Sequence, residues 1–297
     1  MKISVITPCL NSAEYLEHAI KSVQEQNVQN SEHIIVDGGS TDGTLDIIKK
    51  YPHLNWISEP DDGQSDAMNK GFRLSTGDIM VFLNADDYFL PNAFSTVIRQ
   101  FERGAEFIVG KVLILYEDRS FRLNDPKTDL KDMLKWWEKD SFCCNPVGYF
   151  YRRDVQEKVG DFNIYNHYSM DYEFLLESAA KFRLTKIDAT LGVHRRFKGT
   201  KTYDSFANFD HVFHFECANR FVQHFDHKYI KSHNKIRNRH IKSAVEDKYI
   251  VAIIENLKRS HYRNAIHTFF KLFLYSPVRL FYRFGKFMTK CVFRTFC

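Results

Sequence analysis

The chain alternates short apolar runs with longer stretches whose apolar residues recur every three or four positions. Residues 3–7, 33–36, 54–58 and 79–83 are runs of the first kind, rich in β-formers. They predict short strands of a parallel sheet, those at 33–36 and 79–83 buried. Residues 13–26 carry Tyr15, Leu16, Ala19, Ile20 and Val23 at helical spacing, and helices are predicted again over 45–50 and 65–74. Capping residues precede or open each: Asn11 or Ser12, then Ser40, Thr41 or Asp42, then Ser65 or Asp66. Strand, helix and strand in repetition is the signature of an α/β fold, a mostly parallel sheet flanked by helices.

Length and charge divide this picture. The 297 residues suffice for one large domain and an appendage. From Leu257 to Cys297 there are nine Lys or Arg and no Asp or Glu, so that the rest of the chain sums to −4 against an overall +5. We expect a catalytic domain over residues 1–204 and a helical C-terminal extension with a basic tail over 205–297. The six cysteines lack metal-type spacing and read as free thiols in a reducing compartment. Pro8 breaks the first apolar run too early for a signal peptide, and no run approaches the ~20 residues of a membrane span.

The strand at 79–83 leads at once into Asn84, Ala85, Asp86 and Asp87. In an open α/β sheet, ligands sit outside the carboxyl ends of the strands. Carboxylates there suit a hard divalent cation, which commonly brings a phosphate with it. Taken alone, the same residues also read as a solvated turn. No Gly-x-Gly-x-x-Gly follows the first strand and no Walker-type loop is present, which disfavours a dinucleotide-binding domain and a P-loop enzyme.

Five segments then carry a resemblance: Val5-Ile6-Thr7-Pro8-Cys9-Leu10-Asn11, Val36-Asp37-Gly38-Gly39-Ser40-Thr41-Asp42-Gly43-Thr44, Ser65-Asp66-Ala67-Met68-Asn69-Lys70-Gly71, Leu83-Asn84-Ala85-Asp86-Asp87, and His167-Tyr168-Ser169-Met170-Asp171-Tyr172-Glu173-Phe174. In order and spacing they resemble the inverting family-2 glycosyltransferases of bacterial polysaccharide and glycan biosynthesis. The resemblance covers about the first two hundred residues and implies the Rossmann-like GT-A fold. It also implies a nucleotide-sugar donor, with a UDP-sugar expected, a divalent metal (Mn2+ or Mg2+) and a glycan or lipid-linked sugar as acceptor.

It further implies roles. Asp37 would accept from the base, although a helix-capping Asp is an equal reading of that residue alone. Thr7 and Pro8 would line the nucleotide slot. Asp66 and Lys70, at i and i+4, are either an intrahelical ion pair worth about 0.3–0.5 kcal/mol or a pair beside the nucleotide. Asp87 would be the direct metal ligand, with Asp86 nearer the ribose. Many family members have Asp where this chain has Asn84. Asp171 would be the base that deprotonates the acceptor hydroxyl, and Asn145, Pro146 and Tyr172 would shape the acceptor pocket, with Glu173 helping. Residues 194–202 would form a basic loop near the diphosphate, in which His194, Arg195 or Lys198 supplies charge; Phe197 stands where related sequences often carry His.

Histidines 211 and 214 share a helical face, but no acidic or cysteine partner completes a metal site. In the last predicted helix Arg279, Arg283, Lys286, Lys290 and Arg294 fall in one stripe, and Leu280, Phe281, Phe284, Phe287, Met288 and Val292 cover the other side. That pattern suits a helix lying in an anionic membrane interface, or one packing its aromatic face on the catalytic domain. The first places the enzyme in the cytoplasm, peripheral at the inner face of the membrane. No nucleic-acid module is recognised. A sugar-nucleotide nucleotidyltransferase and a non-catalytic nucleotide-sugar-binding scaffold are the rival readings. The first would not need Asp171 and would carry an N-terminal Gly-rich basic loop, which this sequence lacks. Retention of Asp86, Asp87 and Asp171 speaks against the second.

Overall fold

The computed structural model describes residues 1–198, 200, 211–223, 225–226, 228–238, 269 and 271. The chain forms two compact units, Met1–Phe225 and Asp226–Cys297. In the second unit residues 228–238 are helical. The basic stripe from Arg279 to Arg294 lies outside the described residues. Among the described residues no helix is long and apolar enough to cross a membrane.

The first unit begins with the predicted alternation. Strand β1 (Ile3–Cys9) leads to helix α1 (Leu16–Gln24), β2 (Ser31–Asp37) to α2 (Thr44–Ile48), and β3 (Asn55–Ser58) to α3 (Gln64–Leu74) and then β4 (Ile79–Phe82). These strands pair in parallel in the order β3-β2-β1-β4. Every residue of β1 and β4 is buried, because helices cover both faces of such a sheet. The chain continues through β5 (Tyr88–Phe89), α4 (Ala93–Glu102), β6 (Phe107–Tyr116), β7 (Phe121–Asn124), α5 (Leu130–Met133), β8 (Tyr149–Arg152), α6 (Arg153–Val159), α7 (Met170–Lys181), β9 (Leu184–Arg196) and α8 (His211–Val222).

β8 is inserted antiparallel between β4 and β6, and β9 runs parallel to β6. Two groups of parallel strands are thereby joined into one mixed sheet, in the order β3-β2-β1-β4-β8-β6-β9-β5 with β7 on β6. Most of its paired residues lie in parallel ladders. The expected α/β architecture, a mostly parallel sheet flanked by helices, is thus what the chain adopts. The first unit extends to Phe225 and takes in α8, a helix inside the stretch that the sequence reading assigned to the extension. Arg220 of α8 pairs with Glu173 of α7, and Asn166 donates to the same carboxylate at 2.7 Å.

Two residues of the third motif hold the frame. Asn69 is buried and bonds both backbone groups of Phe162, donating at 2.9 Å and accepting at 2.8 Å. This ties the turn after α6 to α3. Gly71 lets α3 approach the sheet: a Cβ there would lie 2.3 Å from Ile6 Cγ2 and 3.3 Å from Val36 Cγ2. Gly71→Ala is therefore expected to lower stability by about 1–3 kcal/mol through overpacking, despite alanine's better helix propensity. Urea unfolding would show it as a lower midpoint at unchanged slope, and an unchanged midpoint would mean that α3 shifts freely.

Candidate active site

The carboxyl ends of β1, β2, β3 and β4 share one edge of the sheet, as parallel pairing requires. β8 runs the other way, so its amino end reaches the same edge. A cleft of about 960 Å3 opens there. Pro8, Asp86, Asn145, Asp171 and Tyr172 line it. Thr7, Asp37, Asp66, Lys70, Asp87, Pro146 and Arg195 are not among the residues at its wall. Pro146 is buried and opens the short turn that leads into β8, and each of the others has a definite place in the structure around the cleft.

Asp37 is fully buried at the end of β2 and closes its own loop. It accepts from the Gly39 and Ser40 backbone N–H at 3.1 and 3.0 Å, from Ser58 Oγ at 2.7 Å and from Ser40 Oγ. Burial works against its charge, but these donors outweigh burial and hold its carboxyl below the ordinary range. The carboxylate that does line the cleft here is Asp61, pushed up by burial. Gly38 makes room for it: a Cβ on Gly38 would meet Asp61 Oδ2 at 2.5 Å. Thr7 hydroxyl and His33 Nε2 lie 2.9 Å apart in the interior. Lys70 ties the loop before α3, with Asp66 at 3.2 Å, Glu59 at 3.0 Å and the Pro60 carbonyl at 2.9 Å. The intrahelical ion pair is present and serves that loop. Asn11, expected as a cap for α1, instead bridges loops by accepting from Thr41 N–H at 2.9 Å.

The paired carboxylates part company. β5 pairs antiparallel with β9, Tyr88 opposite Val193. Asp87, one residue before Tyr88, therefore meets His194 and Arg195. It is fully buried and accepts from the Arg195 backbone N–H at 2.9 Å, from Asn145 Nδ2 at 2.7 Å and from Asn84 Nδ2 at 3.0 Å. His194 Nδ1 lies 3.2 Å from its Oδ1. Burial opposes an imidazolium, but the charge and hydrogen bond of Asp87, with the charge of Asp86, prevail and raise His194 above its ordinary value. His194 Nδ1 also lies 2.8 Å from Asn145 Nδ2, so the imidazole stands between the Asp87 carboxylate and the Asn145 amide. Asp86 turns the other way, into the cleft. Burial and the Asp87 charge push its carboxyl up to about 7. Asn84, where relatives often carry Asp, accepts from Gln64 Nε2 at 2.8 Å while its amide donates to Asp87. An aspartate at 84 would add a third negative charge to this group, and an amide links it without one.

Residues 194–196 belong to β9, not to a loop. Strand alternation sends His194 and Arg196 to the cleft and Arg195 away from it. Arg195 Nη1 donates to the Asp86 carbonyl at 2.7 Å, its Nη2 lies 2.7 Å from His18 Nδ1, and the guanidinium covers the rings of Tyr88 and Tyr15 at 4.7 and 5.5 Å. Phe197 packs edge-on against Tyr15 at 6.2 Å. Arg195 thus braces the backbone of Asp86 from behind. Arg196, missed from sequence, and Lys198 are the cations of this segment that line the cleft. The period-two spacing of 194 and 196 was the available signal.

Asp171 sits in the first turn of α7, and Tyr149 Oη donates to its Oδ1 at 3.4 Å. Tyr149 is itself buried, stacked in line with Phe107 and Tyr151 on β8 and β6. Tyr172 lines the cleft with its ring while its hydroxyl donates to the Met133 carbonyl at 2.8 Å. Glu173 points to Arg220 and Asn166, away from the cleft wall, so it anchors α8 and not a substrate. Asn145 spends its amide on Asp87 and caps the turn before β8, accepting from Val147 N–H at 2.9 Å.

The Glycosyl transferase family 2 profile matches residues 4–160. The chain belongs to that family. It is 31% identical over 179 residues to a PGL/p-HBAD biosynthesis glycosyltransferase of Mycobacterium bovis, covering 58% of this chain and 67% of the relative. With an uncharacterized glycosyltransferase of Nostoc sp. it shares 33% identity over 172 residues, 54% of this chain and 53% of that one. The family-2 chain thus spans about half the length of the Nostoc relative. Its fold is shared with S. aureus TarS 1-349, solved with UDP (TM-score 0.59, 16% identity, 96% of this chain and 92% of that one). It is shared too with the mannosyltransferase PcManGT of Pyrobaculum calidifontis, solved with GDP-Man and Mn2+ (TM-score 0.55, 19% identity, 74% and 64%).

A metal is tested by the donor set. Among the described residues no three or more His, Cys, Asp or Glu are gathered as a cage. A Mg2+-like ion needs only one or two carboxylates when substrate phosphates complete its shell. Asp86, a cleft-facing carboxylate whose ionisation the surroundings resist, fits such a site.

Proposed function

We propose that this protein transfers a sugar from a nucleotide-sugar donor to a hydroxyl of a glycan or lipid-linked glycan, with inversion, in a single displacement. One observation carries the reading: Asp86 and Asp171, from distant parts of the chain, line one cleft at the carboxyl edge of the sheet. Asp171 takes the proton of the acceptor hydroxyl as that oxygen attacks the anomeric carbon and the bond to the diphosphate breaks on the opposite face. Tyr149 orients the Asp171 carboxylate. Asp61 and the buried Asp37 loop form the nucleotide end. Asp86 is the residue to hold a divalent cation, whose charge would offset that of the departing nucleoside diphosphate. Arg196 and Lys198 line the same cleft and add positive charge to it. Asp87 works indirectly, fixing Asn145, His194 and β9 around Asp86. The GDP-Man and Mn2+ in the PcManGT complex and the UDP in the TarS complex support a metal-assisted site for a nucleotide sugar, and the family resemblance favours uracil as base.

The test is thermal unfolding with UDP, GDP, CDP and dTDP, each with and without Mn2+. One nucleotide at 100 times its dissociation constant should stabilise the protein by about 2.7 kcal/mol, and only with the metal. No shift with any nucleotide removes the donor site from this cleft.

The basic helix predicted after Pro277 suits docking to an anionic membrane, which would bring a lipid-linked acceptor within reach. Truncation before Pro277 should abolish sedimentation with anionic liposomes while turnover of a soluble acceptor persists. Unchanged sedimentation sinks the membrane role.

A further inference from the structure

Arg122 and Asn124 stand two positions apart on β7 and so share one face of it, and both line the cleft. β7 pairs with β6 and β6 with β9, which sets Arg122, Ile114 and His194 in one row across the sheet. With strands about 4.8 Å apart, the row separates the backbones of Arg122 and His194 by about 10 Å. Asp61 follows β3 at one end of the sheet, Asp86 follows β4, and Arg122 lies on β7 beyond β6. The proposed nucleotide end and Arg122 are therefore on opposite sides of Asp86.

Both β7 residues hold Asp140, on the segment between α5 and β8. Asp140 Oδ1 accepts from Asn124 Nδ2 at 2.9 Å and pairs with Arg122. The Asp140 carbonyl accepts from the Lys127 N–H at 3.0 Å. Its φ of +57° lies in the left-handed region, which few residues except Gly, Asn and Asp adopt. Among the described residues Asp140 Oδ2 makes no hydrogen bond, and Arg122 spends one Nη on the pair. The pair thus keeps an acceptor oxygen and several guanidinium donors close together at the cleft wall. Ser141, beside it on that wall, is 1% exposed, and its Oγ has no hydrogen-bond partner among the described residues. A buried hydroxyl left so costs about 1–3 kcal/mol, which a bound polar group would offset.

The chemistry of this pair selects its occupant. A phosphate or carboxylate would meet Arg122 but be repelled by Asp140, and a cation would meet the reverse. An alkyl chain would desolvate both charges without return. Two neighbouring hydroxyls match: one donates to Asp140 Oδ2 while the oxygen of the other accepts from Arg122.

We propose that Arg122, Asp140 and Ser141 form a subsite for the vicinal diol of a neutral sugar. The proposal rests on the glycosyltransferase reading of this cleft and adds specificity-determining residues to it. The sugar is that of the donor or that of the acceptor, and the two are told apart by experiment.

Asp140→Asn keeps an oxygen for Arg122 and Asn124 and suits the left-handed backbone, as Asn11, Asn27 and Asn92 do elsewhere. It turns the acceptor Oδ2 into a donor. Full-length protein with Mn2+ is titrated calorimetrically with UDP, UDP-glucose, UDP-galactose, UDP-N-acetylglucosamine and GDP-mannose. With UDP present it is also titrated with methyl glucopyranoside, methyl galactopyranoside and chitobiose. We expect Asp140→Asn to leave UDP binding unchanged and to weaken at least one sugar-bearing probe about tenfold. Ser141→Ala should weaken the same probe less, with an unliganded melting temperature equal to or above that of the parent. Weakening of a sugar nucleotide gives the diol to the donor, and weakening of a saccharide alone gives it to the acceptor. Equal loss for UDP would assign the pair to the ribose, and no change with any probe would leave it a structural role only. Either result overturns the subsite, and nucleotide binding to the parent then leaves the enzyme reading standing. A parent protein that binds a saccharide through Asp140 but no nucleotide would keep the subsite and remove the donor reading.

Discussion

Replacing Asp171 by asparagine is expected to lower the transfer rate by about 10²–10⁴-fold while leaving the dissociation constant of the nucleotide unchanged. The substitution removes the proton acceptor and keeps the shape, and Tyr149 can still donate to the amide oxygen. A different role for Asp171 predicts a different result. An acid in the first turn of a helix stabilises that helix by about 0.3–1 kcal/mol. If that were its whole function, Asp171→Asn would cost a little stability and no activity. Ser169, the residue before α7, makes no side-chain capping bond, so the rival role is a real one to test. Steady-state transfer, calorimetric titration with the nucleotide and a melting curve on the same preparation separate the two. Parallel loss of transfer and nucleotide binding would instead place Asp171 at the donor and end its assignment as base.

The first half of the fold was legible because each buried strand is a compact apolar run and each helix shows one apolar face. Residues 3–7, 33–36 and 79–83 fall on observed buried parallel strands to within one residue, whereas 54–58 lies on β3, an edge strand whose residues are mostly exposed; the helices begin and end within a few residues of expectation. The cleft was legible wherever a site residue ends a strand or opens a helix, as Pro8, Asp86 and Asp171 do. What local pattern could not show was direction. Which of two adjacent carboxylates faces the cleft depends on Tyr88 pairing with Val193, more than a hundred positions away. The same distant pairing turns Arg195 behind Asp86 and brings Arg196 forward. Asp37 shows another limit: a carboxylate followed by Gly38, Gly39 and Ser40 can serve a ligand or its own loop, and only the count of its hydrogen bonds decides. Asn69 read as one polar residue in a helix, and its partner, the backbone of Phe162, carries no side-chain signal.

The adjacent carboxylates should respond in opposite senses. Asp86 faces the cleft with its carboxyl pushed up to about 7 from the ordinary 3.8, first by burial and then by the Asp87 charge. A raised acid pKa means that the folded state favours the protonated form. Stability from this group is therefore present at low pH, falls as pH rises above the unfolded value near 3.8, and reaches its full loss above about 7. Metal-free Asp86→Asn should accordingly melt at or above the parent temperature at pH 8, with the difference shrinking toward pH 4. The same variant should lose the Mn2+-dependent nucleotide shift. Asp87→Asn should do the reverse to stability. It removes the partner of a buried His194 and places an amide against the donors of Asn145 and Arg195. Breaking a buried pair from one side costs about 3–5 kcal/mol, a fall in melting temperature on the order of 10 °C. Melting curves for both variants at pH 5 and pH 8, with and without Mn2+ and UDP, read all of this at once. A stable Asp87→Asn protein that has lost its metal response, beside a destabilised Asp86→Asn protein that retains it, would return the ligand role to Asp87. The physical reason for the opposite expectation is local. Asp87 is surrounded by four donors that its charge satisfies, whereas Asp86 presents to the cleft a charge that the protein resists and a cation would match.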